Sequence, residues 1–159
     1  MPIQRRHLLA TATVFCATAL ATLAPAAFAA ERGTRDEAKV LSDAVTAHVK
    51  KVGVEQAAKD LSADRAKWTN KDLFAFVQDF NGVIRYHLNE KMIGKNFLEV
   101  KDASGKEFAK EMVTVAKGGK PGWVDYEWAH PVTKKVEDKS AYIQRVPGTE
   151  LLVGVGFYR

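Results

Sequence analysis

The sequence predicts an α+β fold in which a five-stranded antiparallel sheet follows a long N-terminal helix and carries shorter helices. Three observations lead there. Apolar residues recur at helical spacing over 31–51. Two strand-length runs, 73–77 and 83–88, flank Asn81-Gly82, a residue pair suited to a hairpin turn. The last third holds three more strand-length stretches, 123–128, 139–146 and 150–158, joined by connections short enough for hairpins. Two strands, a helical excursion and three strands, with helices in front, suit helices packed on one face of an antiparallel sheet.

The first residues read as an export signal. Arg5 and Arg6 form a basic start, positions 8–23 are apolar or small without charge, and Ala27-Phe28-Ala29 offers a small-x-small cleavage site. The apolar run is short for a membrane span, so cleavage is expected in preference to an uncleaved anchor. The paired arginines also loosely resemble a twin-arginine signal. The expected division is a signal peptide over 1–29 and one domain over 30–159, with a periplasmic destination. The 130 residues left can bury a real core. Losing Arg5 and Arg6 leaves 22 basic against 19 acidic side chains, a net +3 with the lysines scattered. That pattern and the expected export give no reason to expect a nucleic-acid partner. Cys16 leaves with the signal, so no disulfide, thiol chemistry or thiolate metal site is expected.

In chain order, the first helix places Ala38, Leu41, Val45, His48 or Val49, and Val52 on one stripe. Asp36 and Glu37 near its start and Lys50 and Lys51 near its end suit the helix dipole, and Gly53 suits its stop. A second helix should bury Val54, Ala57, Ala58 and Leu61. In the hairpin, simple alternation places Val83, Arg85 and His87 on one face and Ile84, Tyr86 and Leu88 on the other. The stretch 89–100 is irregular, with Met92, Ile93, Phe97 and Leu98 expected inside and Gly94 at a bend. Ser104-x-x-Glu107 has capping-box form and should open a short helix burying Phe108, Met112 and Val115, ended by Gly118-Gly119.

These segments, taken together, resemble the Cache family, specifically its single-domain sCache_2 type. The resemblance is carried by Asp72-Leu-Phe-Ala-Phe-Val, Asn81-Gly82, Tyr86-His87-Leu88-Asn89 and Ile93-Gly94-Lys95-Asn96. It continues through Asp102-Ala-Ser-Gly105-Lys106, the run from Gly122 to Trp128, Lys139-Ser-Ala-Tyr142 and Val155-Gly156-Phe157-Tyr158. Leu88 stands where the family often has proline. The resemblance implies a PAS-like sheet behind a long N-terminal helix, and an extracytoplasmic module binding small molecules, often short organic acids, for sensing and signal transduction. Family members usually sit in membrane receptors, whereas this chain ends at Arg159, so a membrane receptor or kinase is the expected partner.

A carboxylate ligand needs a cation and hydrogen-bond donors in a partly dry cleft. Lys139, in the Cache-like Lys-x-x-Tyr segment, is the leading candidate. Tyr142 ranks lower because alternation sends it to the opposite face unless a bulge intervenes. Tyr126 and Trp128 share a face and can wall a pocket or pack as core. Arg85 and His87 can grip an anion, and each has an ordinary structural role as the alternative. Gly154 and Gly156 share a face, leaving room for a ligand or for close packing. The spacing of His48, His87 and His130 suggests no catalytic triad or metal cluster, so neither an enzyme nor a cofactor is expected. The competing expectation is an interaction module with no ligand, docking on a membrane protein.

Overall fold

A computed structural model of the chain describes residues 32–130 and 133–159; the expected signal peptide, Cys16 included, lies outside the described residues. Helix α1, Arg35–Val52, starts at Thr34, whose side chain accepts from the Glu37 amide while Glu37 reaches back to the Thr34 amide. This is a full capping box. Gly53 ends the helix at φ +82°, a value that favours glycine. Helix α2, Val54–Ala63, follows at once and buries Ala57 and Leu61. His48 joins the two helices through Asp60 at 2.8 Å. A short α3, Arg65–Trp68, leads into the sheet.

The strands are β1 (Thr69–Asn70), β2 (Leu73–Asp79), β3 (Ile84–Tyr86), β4 (Gly122–Ala129), β5 (Val136–Arg145) and β6 (Leu151–Tyr158). All pairs are antiparallel, in the order β1-β2-β6-β5-β4, with β3 also on β2. The two-residue β1 was not foreseen. Helix α4, Phe108–Lys117, is the excursion between the halves of the sheet.

The helices divide between both faces of the sheet instead of sharing one. On one side, Ala38, Val45, Val49 and Leu61 meet Leu73, Ala75, Val77, Val153 and Val155. On the other, Phe108, Ala109, Met112 and Val113 meet Phe76, Leu152, Ile143, Val124 and Tyr126. The reason lies in the central strands. All seven residues of β2 are buried, and β6 is apolar or glycine at both parities. Such runs require cover on two faces.

The hairpin after β2 closes differently from the expected two-residue turn. Gly82 donates to the Asp79 carbonyl and Asp79 donates to the Val83 carbonyl, so Phe80, Asn81 and Gly82 form a three-residue loop. Only Gly82 takes a positive φ, +87°. Asp79 also accepts from the Asn81 and Val83 amides. A bulge then shifts the register: Val77 pairs with Tyr86 but Gln78 pairs with Ile84. Tyr86 therefore joins the α1 side, while Ile84 turns to the opposite side, overturning the simple alternation.

Two smaller expectations also differ. Ser104 does not cap α4; Glu107 precedes the helix without a side-chain capping bond. Ser104 instead donates to Asp102, which also accepts from the Lys106 and Glu127 amides. Ile93 points outward, 41 % exposed, because Gly94 bends the chain there at φ +80°.

Candidate functional site

On the α4 side, strand periodicity aligns Phe74, Phe76 and Gln78 of β2, Lys139 of β5, and Tyr126 and Trp128 of β4 along one surface. Their side chains do not meet completely. Phe76, Gln78, Lys139, Tyr126 and Trp128, with Ile84, His87, Met92, Phe97, Phe108 and Met112, line a hollow of about 30 Å³. A wider vestibule of about 360 Å³ shares His87, Met92 and Trp128 with it and adds Phe74, Leu88, Asn89, His130 and Tyr158.

Lys139 is the central feature. It is 2 % exposed, and its Nζ sits 4.2 Å from the centroid of the Phe74 ring, 4.9 Å from Tyr158 and 5.9 Å from Tyr126. Gly156 on β6 leaves space for this side chain: a Cβ there would lie 2.5 Å from Lys139 Cε. No described residue accepts a hydrogen bond from the amine or pairs with it as a carboxylate. Asp72 is near enough to favour its charge, but its oxygens accept from the Gly33 and Tyr158 amides. Burial outweighs that influence and lowers the amine pKa from 10.5 to about 7.

His87 presents a donor. The Asn89 amide donates to its Nδ1 at 2.9 Å, which places the proton of the neutral ring on Nε2. Burial, then the neighbouring Lys139 charge, lowers its pKa to about 4. Its ring meets Phe74 edge-on at 5.3 Å. Burial raises the Tyr126 phenol and keeps it protonated. Tyr126 stacks on Phe108 at 4.7 Å, and Trp128 meets the same ring edge-on at 5.4 Å, so α4 fixes this wall. Gln78 Nε2 is buried without a hydrogen-bond partner. The lining combines apolar walls with donor-bearing side chains and no carboxylate, which suits a small acceptor-bearing guest.

The structure brings Lys139, Tyr126, Trp128 and His87 together and sets Arg85 and Tyr142 apart. Arg85 sits at the bulge and grips Asp79 through Nε and Nη2 at 3.0 and 2.7 Å, holding the turn. Tyr142 lies against Trp123 at 5.0 Å on the α1 side, as plain alternation requires when no bulge intervenes in β5. The candidates read from the sequence do not include Gln78, Phe74, Tyr158 or Met92, although Met92 is expected inside. Gln78 left a signal, being the polar residue of the otherwise apolar stretch Leu73–Gln78. Among the described residues, no group of three His, Cys, Asp or Glu side chains could hold a metal ion.

A family model described as a Cache domain, of the dCache_2 type, matches residues 39–159. Solved structures agree in fold. A methyl-accepting chemotaxis protein from Vibrio parahaemolyticus is 20% identical with a TM-score of 0.67, covering 77% of this chain and 86% of its own. The periplasmic sensor domain of a chemotaxis protein is 23% identical with a TM-score of 0.61, covering 77% and 88%. A Cache chemosensory domain, described for its carboxylic acid recognition, is 21% identical with a TM-score of 0.53, covering 79% and 99%. One antiparallel sheet with its helices accounts for the matched residues.

Proposed function

This chain belongs to the Cache family, and we propose that it is an exported sensor module that reversibly binds a small organic acid. One observation carries the reading: the buried Lys139 amine lines a largely apolar hollow, and no described carboxylate pairs with it. A carboxylate entering from the vestibule supplies that charge, holds the amine as an ammonium and takes hydrogen bonds from it. His87 Nε2–H and the Tyr126 hydroxyl serve as neutral donors, and Trp128 and Phe108 exclude water around them. A hollow of about 30 Å³ has room for little more than a water, so a guest of two or three carbons with modest side-chain adjustment fits best. The carboxylic acid recognition described for one structural relative supports the ligand class. We read the site as one for binding, with the bound state passed to a membrane receptor or kinase.

The test is a thermal-shift and calorimetric panel of acetate, propionate, pyruvate and lactate, with amines and amino acids beside them. At least one short acid should raise the melting temperature with its concentration. Lys139→Ala should weaken that acid at least tenfold, on the order of 1.4 kcal/mol. A flat response to every acid, or an unchanged affinity in the variant, would refute the assignment and favour an interaction module without a ligand.

A further inference from the structure

Lys139 is placed for a second kind of chemistry. Its side chain extends over Gly156 into a cage of Phe74, Tyr126 and Tyr158 rings. The charged and titratable groups that face it are few. Tyr126 comes from β4 and Tyr158 from β6, both with phenols that burial keeps protonated. His87 comes from the segment after β3 and is neutral with Nδ1 occupied. Asp72, before β2, is held by two backbone amides. A buried amine with no acceptor and no ion pair gives up its proton more readily than one in water, which frees its lone pair. An ammonium cannot attack a carbonyl carbon, whereas a free amine can, and the hollow lies beside this one.

We propose that Lys139 captures small uncharged aldehydes and ketones of two or three carbons as a reversible imine. The proposal rests on the reading that guests reach the hollow. Lys139 Nζ donates its lone pair to the carbonyl carbon, and the C=O pair moves to oxygen. A proton passes from nitrogen to that oxygen, giving a carbinolamine. The C–O bond then breaks as C=N forms, and the oxygen leaves as water with the second amine proton. Amine and carbonyl become imine and water, with no oxidant or reductant. His87 and Tyr126 line the hollow, and His87 Nε2–H and the Tyr126 hydroxyl are the donors they offer to the oxygen while it carries charge. A carboxylate in the same hollow would hold the amine protonated and block attack, so acids and carbonyl compounds compete for one side chain.

The purified protein is incubated with acetaldehyde and cyanoborohydride near neutral pH, and each modified lysine is located by peptide mapping. At neutral pH an ordinary lysine is neutral in roughly one molecule in several thousand, while Lys139, near 7, is neutral in a large fraction. Reductive ethylation should therefore favour Lys139 over any other lysine at least tenfold. Excess of the acid that binds best should protect Lys139 at least fivefold, and hydroxyacetone should label the same position. Even labelling across the lysines, or none at Lys139, overturns the imine while acid-induced thermal shifts remain and keep the binding function. Failure of both labelling and thermal shift overturns both readings. Lys139→Met, with its melting curve measured alongside, should lose the preferred adduct and keep the background on surface lysines.

Discussion

Replacing Lys139 with methionine should stabilise the empty protein at neutral pH and remove a rise in stability above pH 7. Folding lowers this amine from 10.5 to about 7, chiefly by burial, with Asp72 opposing. Below 7 the lysine is charged in both folded and unfolded chains, and the full cost of burying the charge is present. Between 7 and 10.5 the unfolded chain holds a proton that the folded one has released. The unfolded state then binds more protons, so stability rises with pH by about 1.4 kcal/mol per unit. Over the whole interval the cost is on the order of 5 kcal/mol. Methionine has similar bulk and no charge, so it removes the cost while filling much of the space. Urea unfolding of both proteins, at several values from about pH 6.5 to 9.5, measures the difference through midpoint and slope. The variant should be more stable at the low end, and the gap should close by about 1.4 kcal/mol per unit above 7. A gap independent of pH would mean that Lys139 keeps its proton when folded, and the burial argument would fail. His87 does not blur the result. Its folded value near 4 lies below the ordinary 6.5, so its contribution is lost as pH falls from 6.5 through 4, outside this window.

Three further outcomes are expected. Carboxylate affinity should fall about tenfold per pH unit above 7, because the guest needs the ammonium form; calorimetry near pH 8 and 9 reads this, and a flat profile would contradict it. Gly156→Ala places a methyl against Lys139 Cε, so it should lower stability by about 1–3 kcal/mol and weaken acid binding at least fivefold; unchanged binding would show that the lysine has another place to lie. Arg85→Ala should leave acid affinity within twofold and lower stability by about 1 kcal/mol, because the half-exposed guanidinium holds the Asp79 turn and not the hollow; a large loss of affinity would restore it to the site.

Period-two reasoning located the strand faces where the ladder is regular. It put Tyr126 with Trp128, set Tyr142 opposite Lys139, and needed no knowledge of the neighbouring strands. It failed at β3, where a bulge separated Ile84 from Tyr86 and left Arg85 with Asp79. A bulge is set by pairing between Gln78 and Ile84, which a linear reading of 83–88 does not contain. Capping failed in a related way. Thr34-x-x-Glu37 and Ser104-x-x-Glu107 have the same form, but Asp102 draws Ser104 into its own loop. Local chemistry offered the serine two partners, and only tertiary position chose between them. The two glycines of β6 were seen to share a face, yet their occupants lie on other strands: Phe76 over Gly154 and Lys139 over Gly156.

These glycines explain why a destabilising lysine persists at the centre of the sheet. Gly156 removes the side chain that would otherwise push Lys139 outward, and three aromatic rings attract its cation without neutralising it. A resident aspartate at hydrogen-bond distance would stabilise the empty protein, but it would also occupy the place of an incoming anion. If an acid binds as proposed, leaving the charge unpaired makes the hollow costly when empty and less costly when filled. A guest shifts an equilibrium only by the difference in its interaction with the two states. On the proposed reading, that difference is concentrated on one amine, at the junction of β5, β6 and β2. Any movement that a bound acid sets in train should therefore begin there, and the Lys139→Met protein should be insensitive to acid even though its fold is more stable.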